Sequence, residues 1–233
     1  MSPLLYLQHC LSTNDEILLH PNFQSTDVIG MYTFHQTKGR GQYGNSWKST
    51  EHQNVAFTIA VEETHFKNSG ALINFYTAVI LRDFIANLTK SEVKIKWPND
   101  LIIKNKKVAG ILIEKKARKY IIGIGINVLQ KDFIDLPKAG SILTQTGKMV
   151  DLHLLARGLF QRFSYLFSLK IPKDIVSVYN KHLFRKDEIS VFEIKGVRQN
   201  GIIQQTDSGG YLWINLEKDG VRKFSHKEIE LLY

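Results

Sequence analysis

The stretch 96–114, K-W-P-N-D-L-I-I-K-N-K-K-V-A-G-I-L-I-E, leaves the chain few choices. Two apolar, β-branched runs, 101–103 and 111–113, suit buried strands, and the polar residues around Asn105 suit the turn between them. Pro98 has no amide hydrogen and a fixed φ, which predicts a turn just before the first strand. Trp97, Pro98, Asn99 and Asp100 then form a rigid polar corner, with Lys107 where the return strand begins. A lysine and a carboxylate at one corner, with Gly110 allowing close backbone approach, suit an anionic ligand. A charged hairpin tip on its own is more often only solvated. A second stretch, H-Q-T-K-G-R-G-Q-Y-G-N-S-W at 35–47, tips that balance.

This second stretch follows a predicted strand over 28–34. Two glycines flank Arg40 and Gly44 follows, so the loop's backbone can wrap a ligand and aim N–H groups at phosphate oxygens, with Arg40 adding a guanidinium fork. It carries neither G-x-x-x-x-G-K-[ST] nor G-x-G-x-x-G, which excludes the common nucleotide loops. Its length, and its ending in Trp47, weigh against an idle surface loop.

Elsewhere the pattern predicts strands at 4–7, 55–61, 93–96 and 120–128. A deeply buried helix is predicted over 71–88, an amphipathic one over 151–168 capped by Asp151, and a short one near 173–183. Ser12 precedes helix-start chemistry and reads as a cap, with Asp15 favourable to the helix dipole. Gly123 and Gly125 alternate in a buried strand, which predicts close approach of a ligand or another backbone. Asn127 ends that strand, beside a loop with Pro137 and Gly140. From Glu188 short alternating strands separated by D-S-G-G and K-D-G turns predict a small barrel or half-barrel. The predicted division is 1–186 and 187–233.

A chain of 233 residues with 43% hydrophobic content can bury a large core. Its one cysteine, Cys10, excludes an internal disulfide framework and reads as a small buried side chain in a reducing compartment. The N-terminus lacks a basic region and cleavage site, and no apolar run reaches membrane-spanning length, so a soluble, cytoplasmic protein is expected. The net charge of +9 is scattered, and favours steering of acidic partners over sequence-specific DNA binding.

Four motifs in order, S-T-N at 12–14, Q-T-K-G-R-G-Q-Y-G-N-S-W at 36–47, K-W-P-N-D-L with K-V-A-G-I-L-I-E at 96–114, and G-I-G-I-N-V at 123–128, resemble those of biotin protein ligases. The resemblance implies an α+β fold: a mixed β-sheet with packed helices, like the catalytic domain of class II aminoacyl-tRNA synthetases, plus a small C-terminal β-barrel. It implies ATP, Mg2+ and biotin as substrates and biotinyl-AMP as intermediate. The partner implied is a biotin carboxyl-carrier protein domain, whose lysine receives the biotin. With S-T-N beginning at residue 12, the monofunctional form is expected, without an operator-binding domain; a homodimer is left open.

Carried over by motif, Ser12, Thr13, Asn14 and Gln36 would hydrogen-bond biotin's ureido ring, and Gly39, Arg40 and Gly41 would close over biotin and phosphate. Trp47 would supply apolar wall, and Lys107 would bind carboxylate and phosphate oxygens beside Gly110. Asp100 would lie near the attacking amine or the metal. Lys96 and Asn127 would sit near phosphate and adenosine, respectively. No metal ligands are assigned. The sequence departs from the commoner G-R-G-R-x-G-R-x-W pattern at Gln42 and Asn45, so less positive charge would hold the phosphate. Two alternatives stand beside this reading: a lipoate-ligase-like acyl transferase and a non-enzymatic nucleic-acid-binding module.

Overall fold

Strand pairing organises the chain into two main sheets, seen in a computed structural model that describes residues 3–25, 27–66 and 70–233. In chain order the first elements are β1 (Leu4–Leu7), α1 (Thr13–Glu16), β2 (Val28–Thr33), β3 (Gly39–Arg40), β4 (Ser46–Trp47) and β5 (Asn54–Glu62). Next come α2 (Leu72–Thr89), β6 (Lys94–Lys96), β7 (Asp100–Ile103), β8 (Lys106–Lys116) and β9 (Lys119–Asn127). Then follow α3 (Ile142–Thr146), α4 (Leu152–Phe167), α5 (Ile175–Lys181) and β10 (Ile189–Ile194). The chain closes with β11 (Val197–Thr206), β12 (Leu212–Leu216), β13 (Gly220–Phe224) and β14 (Glu230–Leu232).

The larger sheet runs β1-β2-β5-β9-β8-β7-β6. Only its β1–β2 pair is parallel, so it is mixed, as expected. Alternation assigns its two faces. Val55, Phe57, Ile59 and Val61 of β5 join Ile122, Ile124 and Ile126 of β9 in the main core, under α2 and α4. The opposite face carries small residues: Ala56 pairs with Gly125, and Thr58 with Gly123. Gly125 pairs in turn with Gly110, and Gly110 with Asp100. A row of small side chains thus crosses four strands and leaves a hollow.

The predicted hairpin is β7–β8, turning at Lys104 and Asn105, both with positive φ. Asp151 caps α4 by accepting from Leu154 N at 2.8 Å. Ser12 occupies the N-cap position of α1, yet its side chain makes no capping bond, so the capping expected of it is not observed. Residues 187–233 form a five-stranded antiparallel sheet, β13-β12-β11-β10-β14. Among the described residues no pairing joins its outer strands, so of the expected barrel or half-barrel the closed form is not observed. Its buried Phe192, Ile203, Ile214 and Phe224 belong to the same apolar cluster as the larger sheet. Cys10 is buried, and desolvation pushes its thiol up to about 12, as suits an inert side chain. Among the described residues, no helix is long and apolar enough to cross a membrane.

Candidate functional site

The hollow over the glycine row is a cavity of about 230 Å³. It brings together Ser12, Thr13, Asn14, Gln36, Arg40, Gly41, Gln42, Trp47, Lys96, Asp100, Lys107 and Gly110, residues from three separate motifs.

One end is a set of neutral polar groups. Thr13 N donates to Gln36 Oε1 at 2.8 Å. The Thr58 hydroxyl lies 2.8 Å from that of Thr13 and 2.7 Å from Asn14 Oδ1. Ser12, Thr13, Asn14 and Thr58 are all buried, so their hydrogen bonds form where water competes weakly. The alternating glycines make room for this end: a Cβ on Gly123 would fall 2.4 Å from Asn14 Oδ1. One on Gly125 would fall 2.4 Å from Trp47 Cε2. The close approach expected at those glycines is therefore made by two site side chains, not by another backbone.

The other end is cationic. Lys107 Nζ pairs with Asp100 Oδ1 at 2.6 Å and lies 5.7 Å from the centroid of the Trp47 ring. Lys96 immediately precedes the cis Trp97–Pro98 bond of the corner and makes no ion pair among the described residues. Burial, chiefly, pulls its pKa below the usual lysine range, opposed by Asp100. The Trp47 indole N–H is buried without a hydrogen-bond partner among the described residues. An unmet buried donor costs about 1–3 kcal/mol, which an acceptor on a ligand would offset.

The glycine-rich loop is a short β3–β4 hairpin rather than an open cradle. Gly41 N donates to Asn45 O at 2.7 Å, and Asn45 N to Gln42 O at 3.2 Å, so these amides are already engaged. Arg40 turns onto two carboxylates: it forms a two-pronged contact with Asp15 and reaches Glu114 Oε2 at 3.3 Å. The Asp15 hydrogen bond, foremost, raises the Arg40 pKa, and Arg40 lowers that of Asp15. The loop tip, Tyr43, packs at a tilt against His226 of the β13–β14 connection with centroids 4.6 Å apart, and Lys227 lies over its ring at 4.7 Å.

Two expected site residues lie off the cavity wall. Gly39 is buried behind it, where a Cβ would strike Trp47 O at 2.5 Å, so it serves loop packing. Asn127 is buried at the end of β9 and donates to Gly140 O at 3.0 Å, pinning the loop after β9. In the other direction, Ala56 and His226 line the cavity without having been singled out. Only the pairing of Ala56 with Gly125 reveals its place, and His226 arrives from a strand-to-strand connection with no motif of its own.

For a metal, the cavity wall supplies one carboxylate, Asp100, and no cluster of three metal-ligating side chains exists among the described residues. One carboxylate suits an Mg2+ carried in by a nucleotide's phosphates, an ion that keeps most of its ligands from phosphate and water.

Residues 12–130, just over half of the chain, match the Biotin/lipoate A/B protein ligase family. The chain belongs to that family. A Mycobacterium tuberculosis protein named biotin–[acetyl-CoA-carboxylase] ligase is 28% identical over 137 residues, 57% of this chain and 52% of that protein. The bifunctional ligase/repressor BirA of Bacillus subtilis is 35% identical over 125 residues, 50% of this chain and 38% of that protein. The chain thus spans about half or less of these relatives' lengths. In fold it is similar to the biotin protein ligase from Aquifex aeolicus solved with biotin and ATP. The TM-score is 0.82 at 23% identity, covering 100% of this chain and 99% of that one.

Proposed function

We propose that this chain is a biotin–[biotin carboxyl-carrier protein] ligase. The carrying observation is the cavity itself, in which buried neutral hydrogen-bonding groups stand at one end and Lys107, Lys96 and Asp100 at the other, over a floor of glycines. Family membership and the names of its relatives support the reading.

In the first step a biotin carboxylate oxygen attacks the α-phosphorus of ATP, and the bond to pyrophosphate breaks. In the second, a carrier lysine nitrogen attacks the carboxyl carbon of biotinyl-AMP, AMP leaves, and the amine loses a proton. Neither step needs an enzyme nucleophile, so the chain's work is positioning and electrostatics. Ser12, Thr13, Asn14 and Gln36 hold the ureido ring. Trp47 walls the ring system and offers its unmet N–H. Lys107 and Lys96 stabilise charge on the carboxylate and α-phosphate, and Gly110 gives them clearance. Gly39, Arg40, Gly41 and Gln42 belong to the closing loop, and Asn127 holds the wall on the nucleotide side. Asp100 anchors Lys107 and would lie near the attacking amine or the nucleotide's Mg2+. Residues 1–186 act as the catalytic unit and 187–233 as a unit bordering the nucleotide. The setting is the cytoplasm.

Biotin-dependent exchange of pyrophosphate into ATP tests the reading, with lipoate as a parallel substrate. Exchange with biotin and none with lipoate is expected. Exchange with lipoate alone, or with neither, overturns it.

A further inference from the structure

We infer that Glu114 is a positioning residue that performs two separable tasks with a single oxygen. This rests on the biotin reading above. Glu114 Oε2 accepts from Asn14 Nδ2 at 2.8 Å and from Arg40 Nη2 at 3.3 Å. The first contact reaches the buried polar end of the cavity, and the second reaches the glycine-rich loop.

The first task is to fix an amide. A carboxylate only accepts, so the Asn14 edge that meets Glu114 is its NH2. The Asn14 carbonyl then faces Thr58, whose oxygen lies 2.7 Å away. Thr58 has one hydroxyl hydrogen, and a carbonyl oxygen can only accept it. The Thr58 oxygen also lies 2.8 Å from the Thr13 hydroxyl, which in turn lies 3.2 Å from Gln36 Oε1, so the two hydroxyls link the Asn14 carbonyl to Gln36. Glu114 and Thr58 hold Asn14 from both sides, over Gly123, where no side chain could fit. One amide hydrogen and one carbonyl lone pair of Asn14 remain, in fixed directions, for a ligand that both accepts and donates. A cyclic urea does both.

The second task is electrostatic. Arg40 lies between Asp15 and Glu114. Its loop is thereby seated on the element that carries Asn14. Asp15 holds the guanidinium with two prongs, and Glu114 adds a second negative charge at Nη2. A neutral acceptor would keep the first task and weaken the second, because charge-assisted bonds are the stronger kind.

Three variants separate the tasks, with biotin affinity by calorimetry and trypsin cleavage after Lys38 and Lys48, which flank the loop, as readouts. Glu114→Gln should keep biotin affinity within about threefold and speed cleavage several-fold. Thr58→Val should weaken biotin roughly tenfold or more and leave cleavage unchanged. Glu114→Ala should do both. A merely structural role would move the two readouts together in every variant, and that result overturns the inference, as does a readout that none of the three variants moves. If Glu114→Ala fails to fold, the opposite responses of the other two variants still decide. Failure of the unsubstituted protein to bind biotin would instead overturn the proposed function, and this inference with it.

Discussion

Lys107 and Gly110 share one face of β8 although they are three positions apart. A Cβ on Gly110 would lie 3.3 Å from Lys107 Nζ. Regular alternation would put positions an odd number apart on opposite faces. The register shifts here: Leu101 pairs with Ala109, but Ile102 pairs with Lys107, so Val108 is the extra residue of a bulge. Val108 and Ala109 both turn into the core, and Lys107 returns to the site face beside Asp100. Bulges commonly re-aim a side chain in this way next to functional sites.

Lys107→Ala should therefore remove charge stabilisation without harming the fold. Its ion pair with Asp100 is partly exposed, and such pairs contribute at most about 1 kcal/mol. Loss of a donor to developing charge costs on the order of a hundredfold in rate or more. Pyrophosphate exchange should drop by that factor while the melting temperature moves little. Near-normal exchange by the folded variant would remove Lys107 from the chemistry.

The floor glycines admit no methyl group. Gly125→Ala should push the Trp47 indole off its seat, and Gly123→Ala should displace Asn14. Each should weaken biotin at least tenfold, more than one lost hydrogen bond would. Titration calorimetry checks this. Unchanged affinity in Gly123→Ala would mean that Asn14 does not touch the ligand.

Burial, chiefly, and then the charge of Lys96 depress the His226 pKa from its ordinary 6.5, with Asp100 opposing and Lys227 adding to the depression. The unfolded chain takes up this proton near pH 6.5, whereas the folded chain resists it to lower pH. Stability from this group is thus intact above 6.5 and is lost as pH falls through the lower folded value. His182, depressed chiefly by burial and then by Arg82, acts in the same direction. Thermal scans at about pH 7 and about pH 5 should show a smaller fall for His226→Asn than for the unsubstituted chain. Parallel falls would mean that His226 does not report on this packing.

Gln42 lines the cavity over the glycine row, where an arginine would place a formal charge. Gln42→Arg should slow release of preloaded biotinyl-AMP several-fold, corresponding to a net of about 1 kcal/mol after desolvation. Equal release rates would show that position 42 does not face the phosphate.

Much of this site could be read from the chain, because its residues lie in short motifs whose spacing is local. The hairpin of 96–114, the alternating glycines and the loop ending in Trp47 all carry their signal within a few positions. Other features depend on pairing between distant strands. Ala56 becomes floor only opposite Gly125, and Thr58 holds Asn14 only because β5 crosses above α1. The bulge at Val108 left no mark in residue type. The loop glycines suggested an open phosphate cradle, but the hairpin bonds between Gly41, Gln42 and Asn45 engage those groups first. His226 enters from the β13–β14 connection, and nothing in its local sequence points to the cavity.

The most direct measurement is to give the purified chain biotin and Mg2+-ATP, with no carrier present, and look for retained product by mass spectrometry after rapid desalting. The account predicts a protein carrying one biotinyl-AMP, non-covalently, with pyrophosphate released in equal amount. Pyrophosphate release that does not depend on biotin, or a protein that retains neither biotin nor its adenylate, would contradict it.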